Sequence, residues 1–448
     1  MFSDAQTLKD LEIFESYDGS PGVFSLFDYT KTEGGRACLR DFFLNEIHTP
    51  EQLKKRQDAF SFFFKLGADK SPPVHKNQFL FVTQYLRSKL PMIRHNSPAH
   101  MAGMGIRLFF RHKGTGLFSN LEFIAEGLNL TLSFIGALGQ FVSLAEKEPL
   151  PDEIRELIGD ITASLSPAKV HIPSRISLLH PFLILKADRW LRTKGQYHIH
   201  RLMDAYARVD AYFSVAEAMK SHPMCFPRVE DSSAPFFTAE ELYHPFLSHP
   251  VPQNIDISQR HFLFLTGPNM AGKTTFLKAM GIAVCLGRAG LPVFAAACRM
   301  DFFNGLFTSI NTEDNIRKGY SYFFSEVHRV KEAGEYLQAQ KKIFFIFDEL
   351  FKGTNVKDAY DASRLVIKKF AKWRQNLFVL SSHLTELAEE AVTHSAISFY
   401  YFESSVVDGR PLFTYKINEG ISAERLGLLI LQNEGIPDLL EPPGSPKE

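Results

Sequence analysis

Gly267-Pro-Asn-Met-Ala-Gly272-Lys273-Thr274 satisfies the phosphate-loop pattern GxxxxGK[ST] at every position. The chemistry is that of an anion cradle. Glycines let backbone N–H groups turn toward phosphate oxygens, and the helix that follows adds its N-terminal dipole. Lys273 is placed to reach β- and γ-phosphates, and the Thr274 hydroxyl to serve Mg²⁺. Pro268, Asn269, Met270, Ala271 and Thr275 complete the nucleotide-binding set with Gly267 and Gly272. The flanks agree, since the apolar run 261–266 reads as a buried strand and 275–287 as a helix. A nucleotide and Mg²⁺ are the ligands this pattern calls for.

Two further strand ends carry reactive groups. Ile343-Phe-Phe-Ile-Phe347-Asp348-Glu349 is an apolar run ending in two acids. Asp348 can join Thr274 in the metal's shell, and Glu349 can position or deprotonate a water aimed at the γ-phosphate. Asn376-Leu-Phe-Val-Leu-Ser-Ser-His383 is another apolar run, ending in a histidine that can contact the same water or phosphate. Open α/β sheets bind nucleotides at the edge where such strands end. The catalytic set is therefore Glu349, His383 and Lys273. A fourth element, Gly319-Tyr-Ser321, precedes a helical stretch at 322–339. Ser321 reads either as a plain helix N-cap or as a second phosphate-binding device serving a neighbouring subunit.

These groups need an α/β layer to hold them. Short apolar strands at 261–266, 343–347, 376–381, 396–402 and 412–417 alternate with helices. Residues 1–235 are instead helical by pattern, with amphipathic stretches at 51–65, 152–165 and 197–219. The segment 221–236 holds three prolines and interrupts that pattern, so the domain boundary is set there. The expected layout is a helical domain over 1–235, a nucleotide-binding domain over 236–437 and a disordered tail over 438–448.

Composition is that of an ordinary globular protein, 45% hydrophobic and 22% charged, with net charge zero. There is no global pull toward nucleic acid or membrane. The four cysteines, Cys38, Cys225, Cys285 and Cys298, form no CxxC pair, which points to a reducing cytoplasm. Residues 70–121 hold eight Lys or Arg, four His and no acid. Lys76, Arg87, Lys89, Arg94, Arg107, Arg111 and Lys113 are the candidate nucleic-acid contacts; a solvated helix face is the equal alternative. Residues 127–145 carry no charge. Apolar positions from just before this stretch and along it (Leu121, Ile124, Leu128, Leu132, Ile135, Gly139, Val142) recur at helical spacing, as in a buried seam more than a lipid-facing span.

Taken together, these motifs resemble the MutS family of DNA mismatch repair ATPases, a branch of the ABC-type ATPases. The resemblance rests on Thr266–Thr275, on Phe307–Glu326, and on Asp348-Glu-Leu-Phe-Lys-Gly-Thr354 with Asp358. His383, His244-Pro245 and Gly420–Gly427 add to it. Leu26–Arg36 with Arg56, and Val209–Ala216, are similar to the start and end of that family's helical core and lever. The resemblance implies an α/β ABC-type P-loop ATPase domain preceded by an all-α core/lever domain. It also implies a homodimer in which Ser321 acts in trans, and it counts Ser321 and Asp358, the latter next to a dimer-contacting loop, among the nucleotide-binding residues. Three departures stand out. No mismatch-reading or connector domain precedes the helical part, and the core leaves little room for a DNA clamp. Phe351-Lys352 replaces the usual Gly-Arg. Val251 stands where an adenine-stacking aromatic is expected. The implied function is ATP-dependent action on DNA structures in mismatch repair or recombination, with a repair-protein partner and without its own mismatch reader. The alternative is remodelling of a ribosome or a membrane-associated complex.

Overall fold

The computed structural model describes residues 3–90, 92, 120–171, 181–310, 322–339, 341–391, 394–407 and 410–421, with 433, 436 and 439 as isolated positions. Contacts divide the chain into two units. One comprises 26–44 and 54–221; the other comprises 1–25, 45–53 and 222–448. In chain order the helices before residue 222 are α1 (Ala5–Asp10), α2 (Glu33–Leu44), α3 (Pro50–Leu66), α4 (Lys76–Leu86), α5 (Asn120–Ala145), α6 (Asp152–His171), α7 (Pro181–Leu191) and α8 (Lys194–Ser221). Then come β1 (Arg228–Glu230), β2 (Phe237–Leu242), β3 (Gln253–Ile257), β4 (Phe262–Thr266), α9 (Lys273–Arg288), β5 (Ala297–Asp301) and β6 (Gly305–Ser309). The chain continues with α10 (Tyr322–Gln338), β7 (Ile343–Asp348), α11 (Val356–Phe370), β8 (Leu377–Ser381), α12 (Thr385–Ala391), β9 (Ile397–Val407) and β10 (Arg410–Glu419).

The helical unit is built around α8, which packs on α2, α6 and α7. Its apolar stripe buries Leu202, Tyr206, Val209, Tyr212, Phe213 and Ala216. The Tyr212 ring stacks on Phe63 at 4.8 Å and meets Phe60 at 5.3 Å. One buried carboxylate organises the start of α2. Asp210 accepts hydrogen bonds from the backbone of Lys31 and Thr32 and from the Thr32 hydroxyl at 2.8–3.0 Å. Thr32 in turn caps α2 by accepting from Gly35 N. These bonds hold Asp210 among polar donors although burial pushes its carboxyl pKa up.

In α5 the seam read from sequence is buried at Leu121, Ile124, Leu128, Ile135 and Val142, and half-buried at Leu132 and Gly139. Glu126, Asn129, Ser133, Gly136, Gln140 and Ser143 form an exposed line along the same helix. By length and composition α5 is able to cross a membrane, and 50% of its most apolar window is buried within the protein.

The α/β unit carries two sheets. The larger runs β10-β9-β4-β8-β7-β6. It is parallel from β9 to β6, and β10 is antiparallel to β9. The smaller sheet, β1-β5-β2-β3, was not foreseen from sequence. Its strands are short, and β2 (Phe-Thr-Ala-Glu-Glu-Leu) has no clean alternation. β4, β7 and β8 are buried along their whole length, as expected for parallel strands covered on both faces. On one face Phe262, Phe345, Phe370 and Phe378 stack at 4.9–5.6 Å. On the other, Phe344 meets Phe237 and Phe303 edge-on.

A single boundary near 235 does not describe this unit, because two earlier segments belong to it. Asp10, fully buried, accepts from Thr308 Oγ1 at 2.7 Å and Ile310 N at 3.0 Å at the end of β6. Arg329 of α10 donates to both oxygens of Asp4, at 2.7 and 3.1 Å, and to the carbonyl of Thr308. Segment 45–53 is held by Arg288, which donates to the carbonyls of Ile47 and Phe303. Such long-range polar contacts leave no periodic trace in sequence.

Phe378→Ala removes the ring that links Phe262, Phe345 and Phe370. Urea unfolding should show a loss of about 3–5 kcal/mol; a loss under about 1 kcal/mol would contradict this account of the core.

Candidate active site

The order β4-β8-β7 places the loop-bearing strand and the acid-bearing strand one strand apart. Registers keep their ends level, with Leu265 and Asp348 both paired to Ser381. Two more bonds carry the alignment past the strands, Ser382 N to Leu265 O at 3.0 Å and Glu349 N to Ser381 O at 3.1 Å. The phosphate loop, Asp348-Glu349 and Ser381-Ser382-His383 thus leave one sheet edge side by side.

Backbone conformation explains the loop's residue types. Gly267 has φ +146° and Gly272 φ +103°, both in the region that favours glycine. Met270 sits there too, at φ +70°, with its side chain exposed. Gly272 is the N-cap of α9, so the first N–H groups of a 16-residue helix open onto the loop. Lys273 is buried, and its ammonium donates to the carbonyls of Gly267 and Pro268 at 2.8 and 3.0 Å. Burial lowers its pKa, an effect that Glu349 and Asp348 oppose.

Oxygen donors converge beside it. The Thr274 hydroxyl donates to Asp348 Oδ2 at 2.5 Å, and Ser381 Oγ donates to Oδ1 of the same carboxylate. A hydroxyl and a carboxylate in contact are hard ligands suited to Mg²⁺, which keeps waters and phosphate oxygens in the rest of its shell. Among the described residues no group of three or more His, Cys, Asp or Glu forms a self-sufficient metal cage.

Glu349 follows in a left-handed turn at φ +57°. Its Oε1 faces Lys273 Nζ at 3.9 Å and His383 Nδ1 at 3.3 Å, and its Oε2 faces Lys352 Nζ at 3.4 Å. Burial alone would raise its pKa, but His383, Lys352 and Lys273 outweigh it and bring the value to about 2. The folded pKa lies below the ordinary 4.5, so this stabilisation is present above that value and is lost as pH falls toward 2.

A cavity of about 610 Å³ opens over the loop. Its lining includes the polar Asn269, Lys273, Thr274, Asp348 and Glu349 and the aromatic or apolar Tyr243, Val251, Phe276, Phe402 and Tyr415. Such a mixed lining suits a ligand with charged groups and a flat ring. Val251 lines the wall, and the aromatic surface comes from elsewhere in the chain. Tyr415 has φ +55°, and Gln253 anchors it by donating to its carbonyl.

The remaining sequence candidates fall differently. Asp358 lies outside the cavity in the first turn of α11, where Asn355 accepts from its N–H at 3.0 Å and donates to its carboxylate at 2.6 Å. Ser321 lies outside the described residues; α10 begins at Tyr322. Of the basic candidates, Lys76 pairs with Glu33 at 2.8 Å, and Arg87 and Lys89 are exposed near the end of α4. Arg94, Arg107, Arg111 and Lys113 lie outside the described residues, as does most of Gly420–Gly427. Sequence reading missed Ser381, Lys352 and Tyr415. Ser381 was within reach, two positions before His383 on the same strand.

Comparison with known proteins agrees with this geometry. Residues 263–441 match the family model described as MutS domain V. The chain belongs to the MutS family. It is 23% identical to the DNA mismatch repair protein MSH7 of Arabidopsis thaliana, over 97% of this chain and 43% of that protein. It is 27% identical to the DNA mismatch repair protein MutS of Granulibacter bethesdensis, over 55% of this chain and 28% of that one. It is 26% identical to the human DNA mismatch repair protein Msh3, over 61% of this chain and 26% of that one. The chain thus spans less than half the length of these relatives. The matched domain contains the phosphate loop, Asp348, Glu349 and His383.

Gly272→Val puts a β-branched residue at φ +103°. Fluorescent-nucleotide titration should show affinity falling at least about tenfold with far-UV circular dichroism unchanged; wild-type affinity would mean that the loop does not hold phosphate.

Proposed function

We propose that this MutS-family chain binds ATP with Mg²⁺ in the cavity over Gly267–Thr275, hydrolyses it, and couples the cycle to DNA in mismatch repair or recombination. The observation that carries the reading is the convergence of Lys273, Thr274, Asp348, Glu349 and His383 at one sheet edge. The names of the matched relatives support the DNA assignment. Four unpaired cysteines support a reducing, cytoplasmic setting.

In this reading the loop amides and the start of α9 take the phosphates. The Lys273 ammonium, which lies across the loop carbonyls, would turn to the phosphate oxygens. Mg²⁺ would be held by Thr274 and Asp348 and would neutralise phosphate charge. Glu349 receives the water. Its carboxylate can position that water or take its proton. His383, hydrogen-bonded to Glu349, keeps the acceptor oxygen turned to the site. Two chains face each other, and Ser321 of each closes the partner's site; closing and reopening move the helical units as levers.

Glu349→Gln should cut steady-state ATP turnover about a hundredfold or more while nucleotide affinity stays within about threefold. Turnover equal to wild type would sink the hydrolytic reading. Wild-type turnover per chain should also rise with protein concentration, as a composite site requires. Binding to duplex, mismatched, branched and single-stranded DNA, with and without ATP and Mg²⁺ at two salt concentrations, tests the DNA assignment. Salt-sensitive, nucleotide-modulated binding supports it. No binding to any of them moves the assignment to a ribosomal or protein partner.

A further inference from the structure

Lys352 has no assigned role, and it stands where the family resemblance expects an arginine. Its delivery to the site is built in three steps. First, β7 is followed by two left-handed residues, Glu349 at φ +57° and Phe351 at φ +62°, so the chain reverses tightly around Leu350. Second, Phe351 is 4% exposed and its ring lies 5.9 Å from Phe323 of α10, which pins the turn. Third, Glu326 of α10, 5% exposed, accepts from Lys352 N with one carboxylate oxygen and from Gly353 N with the other, both at 3.1 Å. A buried carboxylate committed to two backbone amides is a strong local constraint. The backbone on both sides of Lys352 is therefore fixed, and its side chain lines the cavity beside Glu349.

The two oxygens of Glu349 differ in their nearest neighbours. Lys273 and His383 come closest at Oε1. Lys352 comes closest at Oε2, at 3.4 Å. Contacts to one oxygen leave a carboxylate free to swing about its last torsion, which is broad and nearly two-fold. A contact to each oxygen sets its plane. The pair is one-third exposed on the lysine side, so its worth to stability is small and its effect is orientation.

We propose that Lys352 is a positioning residue for ATP hydrolysis: it fixes the plane of the Glu349 carboxylate, and thereby the water that Glu349 holds, without itself binding the nucleotide tightly. The inference rests on the ATPase reading above. It assigns to Phe351-Lys352-Gly353 and Glu326 a task that phosphate-loop chemistry does not cover.

The test uses the full-length chain and compares wild type with Lys352→Met, Lys352→Arg, Glu349→Gln and the Lys352→Met/Glu349→Gln double variant. Lys352→Met should lower kcat about 10- to 100-fold, with KM for ATP and affinity for fluorescent ADP within about threefold. Lys352→Arg, which keeps the charge and the reach, should recover most of the loss. The double variant gives a further readout. In the Glu349→Gln background Lys352→Met should add no more than about twofold to the loss of kcat, as expected for groups that act as a unit. The proposal is overturned if Lys352→Met leaves kcat within twofold of wild type. It is equally overturned if affinity falls in step with kcat, or if Lys352→Met lowers kcat as much in the Glu349→Gln background as in wild type. A wild type that turns over ATP no faster than Glu349→Gln identifies failure of the ATPase reading itself, and the inference falls with it.

Discussion

The contact between Thr274 and Asp348 depends on a strand that contributes to neither. β4 and β7 are not neighbours, and β8 holds them one strand apart. Ser381, at the end of β8, pairs with both strand ends and donates to the Asp348 carboxylate. This spacing lets a hydroxyl at the start of α9 meet a carboxylate at the end of β7 at 2.5 Å. A one-residue slip in either register would turn Asp348 to the opposite face and open the site. The stacked phenylalanines of β4, β7 and β8 resist that slip, because their rings interlock on a face covered by α11 and α12.

Around this contact the site gathers basic groups on one acid. Lys273, His383 and Lys352 come from a helix start, a strand end and a turn, and all face Glu349. Their combined field overcomes burial, which acting alone would keep the carboxyl neutral to higher pH. The result is an ionised, oriented carboxylate beside a phosphate cradle. The turn that delivers Lys352 is held by α10, whose other end of contacts reaches Asp4 through Arg329. One helix thus ties the acid's turn to the chain's first residues within the α/β unit.

Much of this was legible in advance, for a physical reason. The phosphate loop demands glycine at two left-handed positions and lysine and threonine at fixed offsets, so it leaves a contiguous signature. Parallel strands buried on both faces read as unbroken apolar runs, and such runs located β4, β7 and β8. The polar groups at their ends marked Asp348, Glu349 and His383. The edge strands and the small sheet were less visible, because their strands are short and their burial is set by what packs on them. The same holds for Asp358. Its neighbourhood in sequence suggested a place in the site, and in the structure its carboxylate is engaged in the cap of α11.

By itself the sequence determined which groups are available: a glycine-rich loop with its lysine and threonine, and strand ends that carry Asp348, Glu349 and His383. It also determined the two textures of the chain, since helical and strand periodicities are local properties. The tertiary structure alone decided which side chains share a site. Ser381 on Asp348, Lys352 on Oε2 of Glu349, Tyr415 on the cavity wall and Asp10 under β6 all depend on strand order and turn geometry. Those are set by long-range packing, and residues far apart in sequence carry no mark of the partner that the fold will bring to them.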